Sequence, residues 1–411
     1  MAYGIPGITF ADSAAVDSFG RLRVSEPYSL VSTKAVGNTP ELLCSNAVTG
    51  SGVATYTVNR SSTYLTVGTA VGTATRQTKI RGIYQPGKSQ FAKATFIMAP
   101  GQANLVQQVG YFDTNDGVFL QLSGTTLAVV LRSSVSGSPV DTAVAQNTWN
   151  IDKFDGTGPS GLTLDITKPQ ILAVDLQWLG VGRVRVGFVI NGTFYYAHQF
   201  QGSNGSFTSV YMKNPNLPIR WFIQATGTVT GTPQLEAICG DVASEGGVDN
   251  TFGNFSSADN AGTGISVANG AWAELLAIRL QSSFTSFSSI FLQQLTISTD
   301  VAKNATGSAL YRVVLNPSGV TGGAWSSLTN SVCEKNTTRT GATGAANASG
   351  PAGIILDAGY FGPEAVADIS KAAIPLGIDL AGNLDVYSLQ VLNISLGTTN
   401  FYGTLTWREL D

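Results

Sequence analysis

The stretch GIYQPGKS, Gly82 to Ser89, carries the Gly, four residues, Gly-Lys-Ser spacing of a phosphate-binding loop. That chemistry needs a buried strand before the loop and a helix after it, so that backbone N–H groups at the helix start face the phosphates. Pro86 removes one donor from the loop. The following QFAKATFIMAP ends at Pro100, too soon for a substantial helix, and its Ala92, Ala94, Phe96 and Met98 alternate as a strand face does. The stretch therefore reads as a turn, Tyr84 to Lys88, between RQTKIRGI and FAKATFIM as two adjacent strands.

The other reactive residue types are equally unassembled. His198 is the only histidine, so no histidine pair can hold a metal; in YYAHQF it shares a strand face with Tyr196, which predicts a structural role. Cys44, Cys239 and Cys333 lie far apart without zinc-type spacing and are expected as free thiols. Asp165 with Asp175, or Glu236 with Asp241, would serve a glycan hydrolase only if folding brought them together, and nothing in the sequence singles either pair out. Asp152 and Asp155 in NIDKFDGTGPSG offer oxygens to calcium, but their spacing fits no calcium loop and reads as a turn cluster. No catalytic residue, metal site or cofactor is predicted, and the chain is expected not to be an enzyme.

Composition says what must position these residues. The chain has 411 residues, 43% of them hydrophobic, only 12% charged, and 47 glycines. That is the profile of many short strands joined by turns. A net charge of −3 gives no field that would gather phosphate backbones, which excludes general nucleic-acid binding. The basic run Arg76, Lys79, Arg81, Lys88 and Lys93 points to both faces of its strands rather than forming a stripe. No window reaches the length of a membrane span, and MAYGIPGITF lacks the pattern of an export signal, so no membrane insertion is expected.

The predicted fold class is all-β: two antiparallel β-sandwich domains, jelly-roll or lectin-like, preceded by an extended N-terminal arm. The arm covers residues 1–27, the larger sandwich 28–247, a Gly/Asn/Ser-rich linker 248–270 and the smaller sandwich 271–411. In the larger sandwich, strands such as LVQQVGYF, QILAVDLQWL, RVRVGFVI, TFYYAHQF, SVYM and PIRWFIQAT are separated by turn signals at Asn115 to Gly117, Ser123-Gly124 and Asn191-Gly192. Its core is expected to include Trp178, Val186, Phe188, Ile190 and Trp221. In the smaller one, PEAVADISKAAI is the one candidate helix. Within the arm, Ser18 to Arg21 reads as a turn around Gly20, followed by a short strand that can add to a sheet edge of its own chain or of a neighbour's.

The phrases DSFGRLRVSEP, YQPGKSQ, VGYFDTNDGVFLQLSG, LRSSVSG, DGTGPSGLTLDITKPQI, DLQWLGVGRVRVGFVINGTF and EGG, in this order, resemble a family of virion structural proteins of tailed phages and some large DNA viruses. The resemblance spans about Asp17 to Gly247; Val16 stands where members often carry an aromatic residue. It implies a particle component rather than an enzyme and carries over no location within the particle. The expectation built on it is a tail, neck or fibre-associated appendage, made in the host cytoplasm and assembled as a homo-oligomer, with copies of itself and other virion proteins as partners. Asp17, Phe19, Arg21 and Arg23 are the candidate docking residues. An outer capsid decoration protein is the close alternative. A carbohydrate-binding module recognising a host surface glycan is the other, with Tyr195, Tyr196, Tyr211 and Trp221 as candidate contacts.

Overall fold

The computed structural model describes residues 16–18, 22–23, 26–36, 43–247, 253–260, 262–300, 308–342, 353–362, 364–369 and 374–410. The chain divides into two compact units, Met1–Asn250 and Thr251–Asp411. Both are built from antiparallel strands, as the dense period-2 patterning requires. Phe19 and Arg21 lie outside the described residues.

The first unit carries β1 (Pro27–Lys34), β2 (Cys44–Thr57), β3 (Ser62–Thr78), β4 (Ser89–Ile97) and β5 (Leu105–Phe112). It continues with β6 (Gly117–Ser123), β7 (Thr126–Ser133), β8 (Val140–Ala145) and β9 (Gln170–Leu176). The last four are β10 (Val184–Ile190), β11 (Thr193–Phe200), β12 (Ile219–Ala225) and β13 (Gln234–Glu245). They form one sheet in the order β11-β10-β9-β4-β13-β3-β12-β5-β6-β7-β8, with β1 added to β13 and β2 to β3. The sheet folds over on itself. Strand β3 pairs with β13 through Thr63–Thr66 and with β12 through Gly72–Gln77, so one long strand serves both layers. The indole of Trp221 on β12 donates to the Thr95 carbonyl of β4 at 3.2 Å, although two strands, β13 and β3, lie between them along the sheet.

The predicted turns fall where the sequence places them. Asn191 and Gly192 have φ of 51° and 79° and close the β10–β11 hairpin, as a type I′ turn requires. Gly124 at φ 59° closes β6–β7. Three expectations differ. First, β3 and β4 are not adjacent, because β13 lies between them and pairs with both at Glu236. The ten-residue connection is too long for a tight hairpin, so it leaves room for a third strand. Second, SVYM is not a strand; it is held as a bend by Tyr211 N–H donating to Gly180 O at 3.1 Å. Third, β8 carries no strong apolar signal because it is an exposed edge strand.

The second unit has β14 (Asn254–Asp259), β15 (Ile265–Val267), β16 (Trp272–Leu280), β17 (Ser289–Thr299) and β18 (Ala309–Leu315). After these come β19 (Ser326–Ser327), β20 (Cys333–Asn336), β21 (Ile354–Phe361), β22 (Glu364–Asp368), β23 (Val386–Asn393) and β24 (Thr399–Leu410). They make two sheets, one ordered β14-β24-β17-β22 with β15 added to β24, the other β19-β20-β16-β23-β18-β21. One core joins the sheets: Leu295, Leu405 and Trp407 from the first pack in a single cluster with Ile278, Val313 and Leu389 from the second. Two stretches of the predicted linker are therefore part of this sandwich, since β14 and β15 pair along β24 although Asn and Ser interrupt their apolar residues. The candidate helix is also displaced: Glu364–Asp368, EAVAD, pairs with β17 as an edge strand, a piece too short to hold a helix and captured by a sheet edge.

Candidate functional site

The residues that bear on function gather around one carboxylate. Asp175 lies on β9, between β4 and β10, and is fully buried. A charge in that position must be neutralised and hydrogen-bonded by its neighbours. Register supplies the first partner: Arg185 sits directly across from Asp175 on β10, and its Nη2 donates to Oδ2 at 2.5 Å. The bulge at Val186/Gly187 brings Tyr196 of β11 alongside, where its hydroxyl donates to the same oxygen at 2.6 Å. Its ring lies 4.2 Å beneath the Arg185 guanidinium.

The remaining partners come from the arm and from the turn whose spacing matches a phosphate loop. Arg23 Nη2 donates to Asp175 Oδ2 at 2.6 Å and to the Tyr196 oxygen at 3.2 Å, while its Nη1 pairs with Glu245. Ser18 Oγ and Ser89 Oγ donate to Asp175 Oδ1 at 2.6 and 3.0 Å. Arg183 Nε donates to the Ser18 carbonyl at 2.8 Å, and Arg185 Nη2 to the Val16 carbonyl at 3.0 Å. Val16 itself is 1% exposed and bridges to Leu22, so the apolar residue at this position seats the arm's bend.

The Gly82–Ser89 stretch is thus a structural connection. Gly82 N–H donates to Leu217 O at 2.9 Å, Lys88 N–H closes a turn on Gln85 O at 3.1 Å, and Gly87 takes φ 83°. The Lys88 ammonium donates to Gly247 O at 2.9 Å, and the next element is strand β4 rather than a helix. The geometry of a phosphate loop is not formed.

Electrostatics at the hub follow from burial. Burial raises the Tyr196 phenol well above its ordinary range, with Asp175 adding to the effect, so it stays protonated, donating to Asp175 while accepting from Arg23. For Arg23, burial pulls downward, but Asp175, Glu245 and Tyr196 together raise it. Burial pushes Glu245 up to about 7 against the pull of Arg23, with Asp175 adding to the rise. Its Oε2 is buried without a hydrogen-bond partner, a position suited to a proton.

An acid whose pKa is raised on folding stabilises the fold below its unfolded value and loses that contribution as pH rises through the folded one. The stability of the native protein relative to Glu245→Gln is therefore expected to fall between pH 4.5 and 7. Melting curves of the two proteins at pH 5 and pH 8 check this, and an unchanged difference contradicts it. Comparing the two proteins cancels the opposite trend from His198. Burial holds that imidazole down at about 4, and its Nδ1 accepts from Asn150 N–H at 3.3 Å.

The predicted site residues separate clearly. Asp17 and Arg23 are placed in this hub on their own chain. Tyr196 is 7% exposed, Tyr211 3% and Trp221 1%, so three of the four candidate glycan contacts turn inward and offer no ring face to a sugar. Tyr195 is half-buried on β11, on the face opposite Tyr196. Asp152 accepts from Phe154 N–H at 2.8 Å and Ser160 N–H at 2.7 Å, a turn cluster satisfied by backbone. Among the described residues, no group of three His, Cys, Asp or Glu side chains is arranged to hold a metal. None of Cys44, Cys239 and Cys333 is in a disulfide. Sequence reasoning had not singled out Asp175 with Arg185, Ser18 and Ser89 as a group; the available signal was a lone acid inside the apolar run ILAVDL and a lone arginine inside VRVGFV.

The sequence matches no protein-family model and no curated protein. Among solved structures, the chain is similar to the Emp47p carbohydrate recognition domain, at 14% identity over 53% of this chain and 96% of that one, with a TM-score of 0.32. It is similar to metal-free lectin I-B4 from Griffonia simplicifolia at 11% identity, over 52% of this chain and 99% of that one, TM-score 0.30. A legume lectin-like domain from Entamoeba histolytica aligns at 9% identity over 48% of this chain and 89% of that one, TM-score 0.28. Likeness at this level carries no argument; the all-β sandwich class rests on the strand pairing itself.

Proposed function

We propose that this chain is a structural component of a phage virion, a tail, neck or fibre-associated appendage that assembles as a homo-oligomer through contacts between sandwich surfaces. The observation that carries the reading is the convergence at Asp175. Ser18 and Arg23 come from DSFGRLRVSEP, Ser89 from YQPGKSQ, Asp175, Arg183 and Arg185 from DLQWLGVGRVRVGFVINGTF, and Glu245 from EGG. Four of the seven phrases that carry the virion resemblance thus meet at one hub.

The chemistry of that hub is cohesion. Asp175 accepts from two guanidinium groups, a phenol and two serines, which leaves its oxygens no capacity to take a proton from a substrate. Buried charge networks of this kind fix a single arrangement of the chain rather than add much net stability. Here they fasten the arm across β4, β9 and β10, which suits a part that must present one shape in every copy.

Gold-labelled antibody against the chain, applied to purified particles, tests the reading. Label at the tail, neck or fibre is the expected result, and label spread over the head would assign the decoration role instead. A chain abundant in infected cells but missing from particles would overturn the virion assignment.

A further inference from the structure

The outward face of the layer formed by β3, β12, β5, β6 and β7 carries a second set of functional groups, unrelated to the Asp175 hub. Trp221 and Ile223 of β12 point to the core, so Arg220, Phe222 and Gln224 point away from it. Across the register, Phe222 stands beside Gln108 of β5, which stands beside Gln121 of β6. On the same face Phe112, Phe119, Ala128 and Val130 form a small buried apolar cluster, with the half-buried Phe222 packed against it.

Arg220 is the unusual member. It is 8% exposed, yet its hydrogen bond is a single one, from Nε to Gln77 Oε1 at 2.7 Å, with the Phe112 ring 5.5 Å away. The neighbouring arginines are committed elsewhere, Arg81 to Asp113 at 2.8 Å and Arg132 to Asp141 at 2.7 Å. No carboxylate among the described residues pairs with Arg220, and both of its Nη groups remain available. Burial lowers it to about 10, the attraction of Asp113 being too weak to compensate. A buried cation without a counter-ion is costly unless something supplies the missing charge.

The groups around it point to the class of ligand. Gln108, itself buried, donates to Gln121 Oε1 at 2.7 Å, which leaves the NH2 of the half-buried Gln121 unused, and the Gln224 side chain makes no hydrogen bond among the described residues. Side-chain amides that both donate and accept, beside a half-exposed aromatic ring, complement a polyhydroxylated chain with C–H faces. A nucleic acid would need several uncommitted cations along its backbone, and this face has one. An added peptide strand would seek main-chain groups at a sheet edge rather than side chains on a sheet face.

We infer that this outer face binds an anionic oligosaccharide, with the Nη groups of Arg220 taking a sugar carboxylate and the half-buried Gln224 and Gln121 the hydroxyls around it, while the buried Gln108 holds Gln121 in place. This goes beyond the virion assignment and fails separately from it, since particle labelling does not depend on any sugar affinity.

Calorimetric titration of the full chain with a mannuronate hexasaccharide, and with maltohexaose as the neutral control, tests the inference. Saturable binding of the acidic sugar is expected, at least about tenfold tighter than the neutral one, from the charge-assisted hydrogen bonds to Arg220. Arg220→Gln is expected to remove that preference. Because Arg220 is buried, Gln224→Ala serves as the second variant: about fivefold weaker binding with an unchanged melting temperature. Equal affinity for the two sugars, no binding of the acidic one, or full affinity in Gln224→Ala would each overturn the inference.

Discussion

Asp175→Ala is expected to destabilise the first unit by about 3–5 kcal/mol, the cost of leaving buried charges without their partner. Arg185 is fully buried and Arg23 largely so, and both point at the vacated position together with Tyr196 and two serines. No water-exposed route allows the Arg185 guanidinium to recover its hydration. The same substitution is expected to loosen the arm, since Ser18 and Arg23 lose the acceptor that anchors them. Chemical denaturation followed by tryptophan fluorescence gives the first quantity, and the rate of protease cleavage before Pro27 gives the second. A loss below 1 kcal/mol with no change in cleavage would mean that the hub does not hold the arm.

Trp221→Ala is expected to cost about 3–5 kcal/mol through lost burial and the cavity left behind. The indole is 1% exposed, spans the interior to the Thr95 carbonyl of β4, and packs against the Gly240 backbone, where an added Cβ would lie 3.0 Å from its ring. Thermal unfolding checks this. A variant of native stability that had instead lost affinity for a glycan would return Trp221 to the role of a binding residue, which its placement argues against.

These two residues show what the sequence revealed and what it withheld. The alternation in IRWFIQA separates Trp221 from Arg220 and Gln224, and Asn191-Gly192 announces its hairpin because both positions require positive φ. Such signals are local, and the all-β class follows from them. The Asp175 hub is not local. Its partners stand 10 to 222 residues apart in the chain, and only the insertion of β13 between β3 and β4 brings Glu245 next to Ser89. A lone charge in an apolar strand signals that a partner must exist without naming it. The Gly/Asn/Ser-rich run before Trp272 misleads for the opposite reason: β24 has one edge on β17 and offers the other, and pairing with it overrides weak intrinsic preference.

The central claim is that the arm belongs to its own chain through Asp175. A double-mutant cycle on Arg23 and Asp175, with unfolding free energies measured at several protein concentrations, tests it most directly. A coupling energy of about 1–3 kcal/mol that does not change with concentration is expected for a contact within one chain. Coupling near zero, or coupling that appears only as concentration rises, would contradict it.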